Sequence, residues 1–282
     1  NKMKKAALHN LGCKVNAYET EAMQHLLEEA GYEIVPFTQK ADVYVINTCS
    51  VTNMADRKSR QMLHKAKKNN PDSIVVAAGC YVQTSEKEVL NDLSVDIVIG
   101  NDRKHDLVRL LEEYSLDSVN DTVDDINDGK HDFEELFIDQ TKEHTRAFIK
   151  VQDGCNQFCS YCIIPKIRGR FRSVPMQELL NEAKRLASEG VKELVLVAQE
   201  TTLYGKDLTG EKQLPLLLHE LCKIEGIEWI RLLYCYPEEI TDELIKVIKT
   251  EEKVCNYIDM PIQHSENRIL PVSYTHLTLP TI

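Results

Sequence analysis

The sequence contains little that would mark a secreted, fibrous or membrane protein. Its 282 residues include only 11 glycines, 9 prolines and one tryptophan, which excludes collagen-like and low-complexity chains. No apolar run approaches the roughly 18 residues that a membrane-spanning helix needs. The lysines near the N-terminus are not followed by an apolar segment. We therefore find no signal peptide and expect a cytoplasmic protein with no membrane contact.

The charge of the chain is unevenly distributed. The formal net charge is −11, yet eight carboxylates and a single lysine fall between residues 115 and 136. A charged stretch that is poor in aromatic residues cannot bury much surface, so we assign residues 115–143 to an acidic linker. Because this segment holds most of the net charge, the acidic total does not exclude an anionic partner elsewhere on the chain.

On either side of the linker, apolar strands alternate with amphipathic helices, which predicts an α/β fold with parallel sheets. In residues 1–114 we expect an N-terminal parallel-sheet domain with strands at 6–10, 43–47, 74–78 and 95–99. Its first helix is predicted to start at an N-cap, Asn16, with Glu19 completing a capping box. A basic helix at 55–68 and a helix at 107–114 follow.

Residues 144–270 carry a second strand–helix array. Its four predicted strands lie at 147–152, 193–198, 229–234 and 257–261, and its predicted helices lie at 176–187, 214–222 and 242–249. Four units form an incomplete (β/α) barrel. The uncharged tail, 271–282, does not continue the pattern and looks foreign to what precedes it.

Three cysteines stand just after predicted strands of the first domain, at Cys13, Cys49 and Cys80. The carboxyl ends of parallel strands share one edge of a sheet, which is where ligands usually bind, so the three thiols are candidates to converge there. The alternative is that they are three unrelated buried side chains, because free cysteine often serves as a small hydrophobe.

The sharpest motif is the run Cys155-Asn-Gln-Phe-Cys159-Ser-Tyr-Cys162, which directly follows a predicted strand. Three thiolates this close together indicate a metal or iron–sulfur site. A structural zinc site needs a fourth ligand, and no nearby histidine or cysteine supplies one. Ordinary iron–sulfur clusters also use four cysteines, so three favour a cluster with one iron open to another ligand.

Other candidates carry weaker signals. Tyr161, within the loop, is a candidate cofactor contact or a solvent-facing tyrosine. Gln199 and Glu200 follow the second strand of the array and Arg231 lies on the third, so each is either a cofactor or substrate contact or ordinary loop and strand polarity. Four cations alternate along the chain at Lys166, Arg168, Arg170 and Arg172. In an extended chain all four side chains would point to one side and could form a phosphate-binding stripe; the alternative is a solvated loop. Three further cysteines show no ligand spacing and are assigned to structure: Cys222, Cys235 and Cys255.

The C-x3-C-x2-C loop, with an aromatic residue before its last cysteine, resembles the radical S-adenosylmethionine enzymes. Together with the three cysteines of the preceding α/β domain, it makes residues 3 to about 270 resemble the methylthiotransferase family. The resemblance implies two [4Fe-4S] clusters: an auxiliary one on Cys13, Cys49 and Cys80, and a radical-generating one on Cys155, Cys159 and Cys162. It also implies that S-adenosyl-L-methionine chelates the open iron and is cleaved reductively with an external electron donor. The resulting radical abstracts hydrogen, after which sulfur and a methyl group are added to the substrate.

Two substrates are open within that family. Segments 11–21, 47–52, 55–60 and 151–159 resemble the branch that modifies threonylcarbamoyladenosine beside the tRNA anticodon. Segments 196–205 and 231–237 are more similar to the branch that modifies an aspartate of a ribosomal protein. We therefore expect tRNA as the partner, with a ribosomal protein as the alternative, and a chimeric origin of the chain is an open possibility.

The resemblance also sets expectations about completeness. The family's radical domain has six strand–helix units and is followed by a small β-barrel, the TRAM domain, so we expect this chain to be truncated. Inactivity of the isolated chain is an expected consequence of that truncation. No side chain is assigned as a catalytic acid or base. The competing hypothesis of another class is a non-enzymatic iron–sulfur protein, which would need saturated clusters rather than one open iron.

Overall fold

A computed structural model describes residues 3–114, 123–124, 126 and 145–273. The chain divides into two compact units, residues 1–138 and 139–282. The predicted α/β class with parallel sheets is confirmed in both units. Most of the acidic linker and residues 274–282 of the tail lie outside the described residues. Among the described residues, no helix is both long and apolar enough to cross a membrane.

The first unit contains a five-stranded parallel sheet in the order β2-β1-β3-β4-β5. Its strands are β1 (Lys5–Asn10), β2 (Glu33–Ile34), β3 (Val43–Thr48), β4 (Ile74–Gly79) and β5 (Ile97–Ile99). All six residues of β3 are buried, as expected for a central strand with both faces covered. The two-residue edge strand β2 was not predicted, because two residues show no periodicity.

Four helices cover this sheet: α1 (Lys14–Glu29), α2 (Asn53–Asn69), α3 (Cys80–Leu90) and α4 (Leu107–Tyr114). The core between helices and sheet includes Tyr44 and Ile46 of β3 with Leu63 and Ala66 of α2. The sequence analysis missed α3, whose backbone is non-helical at Ser85 and whose apolar periodicity is correspondingly weak.

The predicted N-cap of α1 is wrong. Cys13 occupies the N-cap position, and Asn16 lies inside the first turn. The Asn16 side chain instead donates hydrogen bonds to the backbone oxygens of Leu11 (2.7 Å) and Thr48 (2.9 Å). Asn16 therefore ties the end of β1 to the end of β3, a role that only the folded sheet reveals.

The second unit contains a four-stranded parallel sheet in the order β11-β10-β9-β6, together with a short antiparallel pair, β7 and β8. The strands are β6 (Arg146–Lys150), β7 (Gln152–Asp153), β8 (Arg172–Ser173), β9 (Glu193–Val197), β10 (Trp229–Leu232) and β11 (Val254–Ile258). β11 begins three residues earlier than predicted. Its Val254 pairs with Ile230 and is buried, whereas residues 259–261 have already left the sheet.

The helices of the second unit are α5 (Ile164–Arg168), α6 (Met176–Ser188), α7 (Lys206–Thr209), α8 (Leu214–Cys222) and α9 (Asp242–Thr250). The three longer ones agree with the prediction to within one residue at each end. The two short ones, α5 and α7, were not predicted, because one turn of helix leaves no detectable repeat in the sequence.

Of the two interpretations left open for the four alternating cations, a one-sided phosphate-binding stripe and a solvated loop, the structure excludes the stripe. Lys166 and Arg168 lie in α5 rather than in an extended segment. Arg168 is 1% exposed and its guanidinium lies 3.2 Å from the carboxylate of Asp153. Of the four, Lys166 and Arg170 are exposed. These cations therefore do not form one phosphate-facing surface.

Candidate functional site

The first three cysteines lie at the carboxyl edge of the five-stranded sheet. Cys13 caps α1, Cys49 follows β3 directly, and Cys80 is the first residue of α3 after β4. Burial raises the pKa of the Cys49 thiol, and the neighbouring thiols of Cys80 and Cys13 raise it further. The fold thus brings together three residues that are 31 or more positions apart in sequence.

At this edge of the sheet, the backbone of Gly12 lies close to the side chain of Cys49. Its φ of +101° belongs to the left-handed region, and a Cβ atom placed there would lie 2.8 Å from Sγ of Cys49. Cys49 is fixed from the other side by Ser59 of α2. The Ser59 hydroxyl accepts the Cys49 N–H at 3.2 Å and donates to its carbonyl oxygen at 3.1 Å.

The second three cysteines line a cavity of about 170 Å³ in the other unit. Its wall combines the thiols with three side chains that the sequence analysis singled out: Cys155, Cys159, Cys162, Tyr161, Gln199 and Glu200. Burial raises the pKa of Cys155 to about 11, and the negative charges of Glu200, Cys162 and Cys159 act in the same direction. Five positions of the loop 155–162 thus meet Gln199 and Glu200, from the loop after β9, at one cavity.

The base of the cysteine loop is fixed by a glycine and by buried charges. Gly154 has a φ of +75°, and a Cβ atom there would lie 2.2 Å from the carbonyl oxygen of Arg170, so no larger residue fits without displacing the backbone. The carboxylate of Asp153 lies 3.4 Å from Nζ of Lys150 and 3.2 Å from the guanidinium of Arg168. All three side chains are almost completely buried.

Glu200 and Gln199 differ in how their polar atoms are satisfied. Glu200 accepts hydrogen bonds from Thr202 and from the backbone N–H of Tyr236, which joins the loops after β9 and β10. Burial nevertheless raises the pKa of Glu200 to about 7. The buried Oε1 of Gln199 has no hydrogen-bond partner among the described residues. Gln199 therefore leaves an acceptor at the cavity wall for a donor on a bound molecule.

Backbone strain is concentrated around the same cavity. Three non-glycine residues of the described chain have positive φ: Phe158 (50°), Tyr234 (59°) and Gln263 (61°). Phe158 lies in the cysteine loop, and Tyr234 and Gln263 line the cavity. Non-glycine residues in this conformation cost energy and collect at functional sites. The sequence analysis missed Tyr234, Tyr236 and Gln263, because no local pattern marks the loops that meet there.

Tyr161 and Arg231 lie in different surroundings. Tyr161 is 63% exposed at the rim of the cavity and donates its hydroxyl to Oε1 of Gln263 at 2.9 Å. Arg231 is not among the residues that line the cavity. Its Nε lies 2.7 Å from Glu193, which also pairs with Arg146, and its guanidinium stacks over the ring of Tyr257. The structure thus groups Tyr161 with the cysteines and leaves Arg231 in an ion-pair network on the sheet.

Each cysteine group supplies three sulfur donors, the donor type that iron–sulfur clusters use. Within each group, the thiols lie close enough for the charge of one to raise the pKa of another. Among the described residues, no three His, Cys, Asp or Glu side chains are placed to hold one metal ion.

Comparison with known proteins identifies both units. Residues 5–100 match an uncharacterized protein family, UPF0004, and residues 149–277 match the radical SAM superfamily. The chain is 40% identical over 275 residues to ribosomal protein uS12 methylthiotransferase RimO of Lachnoclostridium phytofermentans. It is 41% identical over 270 residues to threonylcarbamoyladenosine tRNA methylthiotransferase MtaB of Bacillus subtilis. This chain is therefore a homologue of radical S-adenosylmethionine methylthiotransferases, with one domain match in each unit.

The two kinds of relative are equally close. MtaB of Aquifex aeolicus is 42% identical over 268 residues. These alignments cover 93–95% of this chain but only 59–64% of each relative, so the chain spans about three fifths of the length of the methylthiotransferases it matches. Similarity to these two kinds of relative therefore does not choose between tRNA and a ribosomal protein.

Solved structures support the fold. Radical S-adenosylmethionine methyltransferase TsrM from Kitasatospora setae, solved with cobalamin and a [4Fe-4S] cluster, aligns with a TM-score of 0.68. That alignment covers 98% of this chain and 63% of TsrM at 13% identity. The cobalamin-dependent radical enzyme OxsB aligns with a TM-score of 0.59 at 12% identity, over 97% of this chain and 46% of OxsB. At these identities the likeness establishes a shared fold only.

Proposed function

We propose that this chain is the catalytic part of a methylthiotransferase that adds sulfur and a methyl group at C2 of threonylcarbamoyladenosine in tRNA. The observation that carries the radical S-adenosylmethionine chemistry is the cavity lined by Cys155, Cys159 and Cys162 together with Gln199 and Glu200. A [4Fe-4S] cluster held by these three thiols would keep one iron without a cysteine ligand, available to another molecule. When bound there, the cluster and S-adenosylmethionine supply one-electron radical chemistry.

The side chains around this cavity hold and orient the cofactor. The unpartnered Oε1 of Gln199 is available to a hydrogen-bond donor such as an amino group. Glu200 fixes the loops after β9 and β10 against each other, and Tyr161 covers the outer rim through its hydrogen bond to Gln263. Partial enclosure of the site keeps water from the reacting groups.

The first three cysteines are proposed to hold a second [4Fe-4S] cluster that provides the sulfur. Cys49 and Cys80 are buried, whereas Cys13, at the N-terminal end of α1, is exposed. The site is therefore open on the side of Cys13 and closed behind the other two. A sulfur donor needs such an opening, because the substrate has to reach it.

A direct test is anaerobic reconstitution of the 282-residue chain with iron and sulfide. About eight irons per chain would support two clusters, and about four would support one. Zinc without iron would overturn the proposal. In a chain extended to the length of its relatives, the variant Cys159→Ala should lose one cluster and with it the formation of 5′-deoxyadenosine from S-adenosylmethionine, whereas full cleavage by that variant would contradict the assignment.

The choice of tRNA rests on the first unit and the cysteine loop, whose segments resemble the tRNA-modifying branch. The second candidate is the aspartate of ribosomal protein uS12, supported by RimO relatives that are as similar as the MtaB relatives. The deciding experiment is complementation of a host that lacks both enzymes, with this chain extended to the length of its relatives. Methylthio groups on tRNA nucleosides support the proposal, and methylthio groups found only on the ribosomal protein overturn it.

A further inference from the structure

The helix α2 is strongly basic in an acidic chain. Within Asn53–Asn69 there are six lysines and arginines and one acidic residue, Asp56, against a net charge of −11 for the whole protein. The net positive charge of α2 is therefore a local feature of this helix and not a property of the protein as a whole.

Four of these cations form a stripe on the outward side of the helix. We call Arg57, Lys58, Lys65 and Lys68 the α2 stripe; all four are exposed. At 100° per residue they fall within about 100° of the helix circumference, and at 1.5 Å per residue the stripe is about 16 Å long. Leu63 and Ala66, on the opposite side, are fully buried against the sheet.

The stripe differs from the other two cations of the same helix, Arg60 and Lys67, which both have partners among the described residues. Lys67 pairs with Asp96 at 2.6 Å, and Arg60 donates to the hydroxyl of Tyr81 at 3.0 Å. Within the described residues, the four stripe cations make no ion pair or side-chain hydrogen bond. The positive charge of the stripe is thus left available to an anionic molecule.

The inward side of α2 connects this charge to the first cysteine group. Ser59, between Lys58 and Arg60 in sequence, makes two hydrogen bonds with the backbone of Cys49. The helix begins at its N-cap Thr52, three residues after Cys49, and the stripe runs away from that point. One end of a molecule bound along the stripe would therefore lie near the edge of the sheet that carries Cys13, Cys49 and Cys80.

We propose that the α2 stripe binds the phosphate backbone of the RNA substrate, an inference that rests on the proposed tRNA-modifying function. Lysine and arginine side chains without partners are the usual contacts to nucleic-acid phosphates. A lipid surface fits less well, because interfacial helices insert an apolar face, and the apolar face of α2 is buried in the core. The stripe positions the RNA and carries no base specificity.

The test measures binding of a short RNA hairpin to the 282-residue chain by fluorescence anisotropy, at several KCl concentrations between about 50 and 200 mM. The triple variant Lys58→Gln, Lys65→Gln, Lys68→Gln should bind more weakly. It should also reduce the slope of log K against log salt by roughly two to three, because each phosphate contact contributes about 0.7 to 0.9. The three residues are exposed, so an unchanged thermal transition should accompany the loss.

The matched control replaces three exposed lysines of the same unit that lie off α2: Lys4→Gln, Lys40→Gln, Lys87→Gln. It removes the same charge and should keep the salt slope within one. An equal loss in both triple variants, an unchanged slope in the stripe variant, or stripe-dependent binding to phosphatidylserine vesicles without RNA binding would overturn the proposal. Failure of the proposed function would appear differently, as stripe-dependent RNA binding with methylthio groups only on the ribosomal protein.

Discussion

Asn101 donates its side-chain N–H to Sγ of Cys80 at 3.7 Å, and both residues are buried. The Oδ1 of the same amide accepts from Nζ of Lys104 at 2.8 Å, and Lys104 forms an ion pair with Glu19 at 2.6 Å. A chain of buried polar groups therefore ends on one of the three sulfurs of the first cysteine group. Hydrogen bonds of this kind orient a metal ligand and set the electron density on its sulfur.

Replacement of Asn101 should shift the potential of the proposed cluster in the first unit. An N–H group directed at sulfur stabilises the reduced, more negative state, so Asn101→Leu should lower the reduction potential by about 40 to 60 mV, which corresponds to about 1 kcal/mol. Anaerobic redox titration monitored by electron paramagnetic resonance measures this shift. Asn101→Asp, which keeps acceptors for Lys104 but loses the donor, should shift the potential in the same direction. An unchanged potential in either variant would show that the hydrogen bond does not tune the cluster.

Gly12→Ala should impair the first cysteine group. The added methyl group would meet Sγ and Cβ of Cys49 at 2.8 and 2.9 Å, in a backbone conformation that costs alanine about 1 to 2 kcal/mol. We expect lower thermal stability and about half the iron content after reconstitution. Gly31→Ala is the control, because Gly31 has a φ of +85° with no atom within 4 Å of the new methyl group. It should lose similar stability and keep its iron, and full iron in Gly12→Ala would refute the steric argument.

Asp153→Asn should destabilise the second unit by about 3 kcal/mol, because it removes the buried carboxylate that pairs with the buried cations Lys150 and Arg168. Denaturant unfolding of the apoprotein measures the change, which appears as a lower midpoint. The comparison is Glu220→Gln, which removes a surface pair with Lys223 and should leave the unfolding midpoint almost unchanged, because solvent screens an exposed ion pair. Equal effects of the two variants would mean that Asp153 does not anchor the cysteine loop.

Cys49→Ala should abolish sulfur insertion without abolishing the cleavage of S-adenosylmethionine. In the extended chain, cleavage of S-adenosylmethionine should continue, because Cys155, Cys159 and Cys162 belong to the other unit, while sulfur insertion should fall below detection. Iron content should fall to about four per chain. Cys222→Ala, at the end of α8, is the control and should keep both activities. Loss of both activities in Cys49→Ala would indicate that the cysteine mainly supports the fold.

The sequence by itself determined the order of the main parallel strands and longer helices, apart from α3, and placed the six proposed ligand cysteines after strand ends. Strand ends can be read locally, because apolar runs stop where the chain leaves the sheet, and parallel strands end at a common edge. Gln199 and Glu200 were found in the same way, as the residues that follow β9.

Only the tertiary structure decided which other side chains join these sites. Arg168 belongs to the same apparent stripe as Lys166 in the sequence, yet it is buried against Asp153, because α5 turns it inward. Gln263 and Tyr234 come from loops that meet the cysteines only in the folded sheet, and Asn101 reaches Cys80 from 21 residues away. Such contacts depend on where loops cross and where side chains point, and neither quantity has a local signature in the sequence.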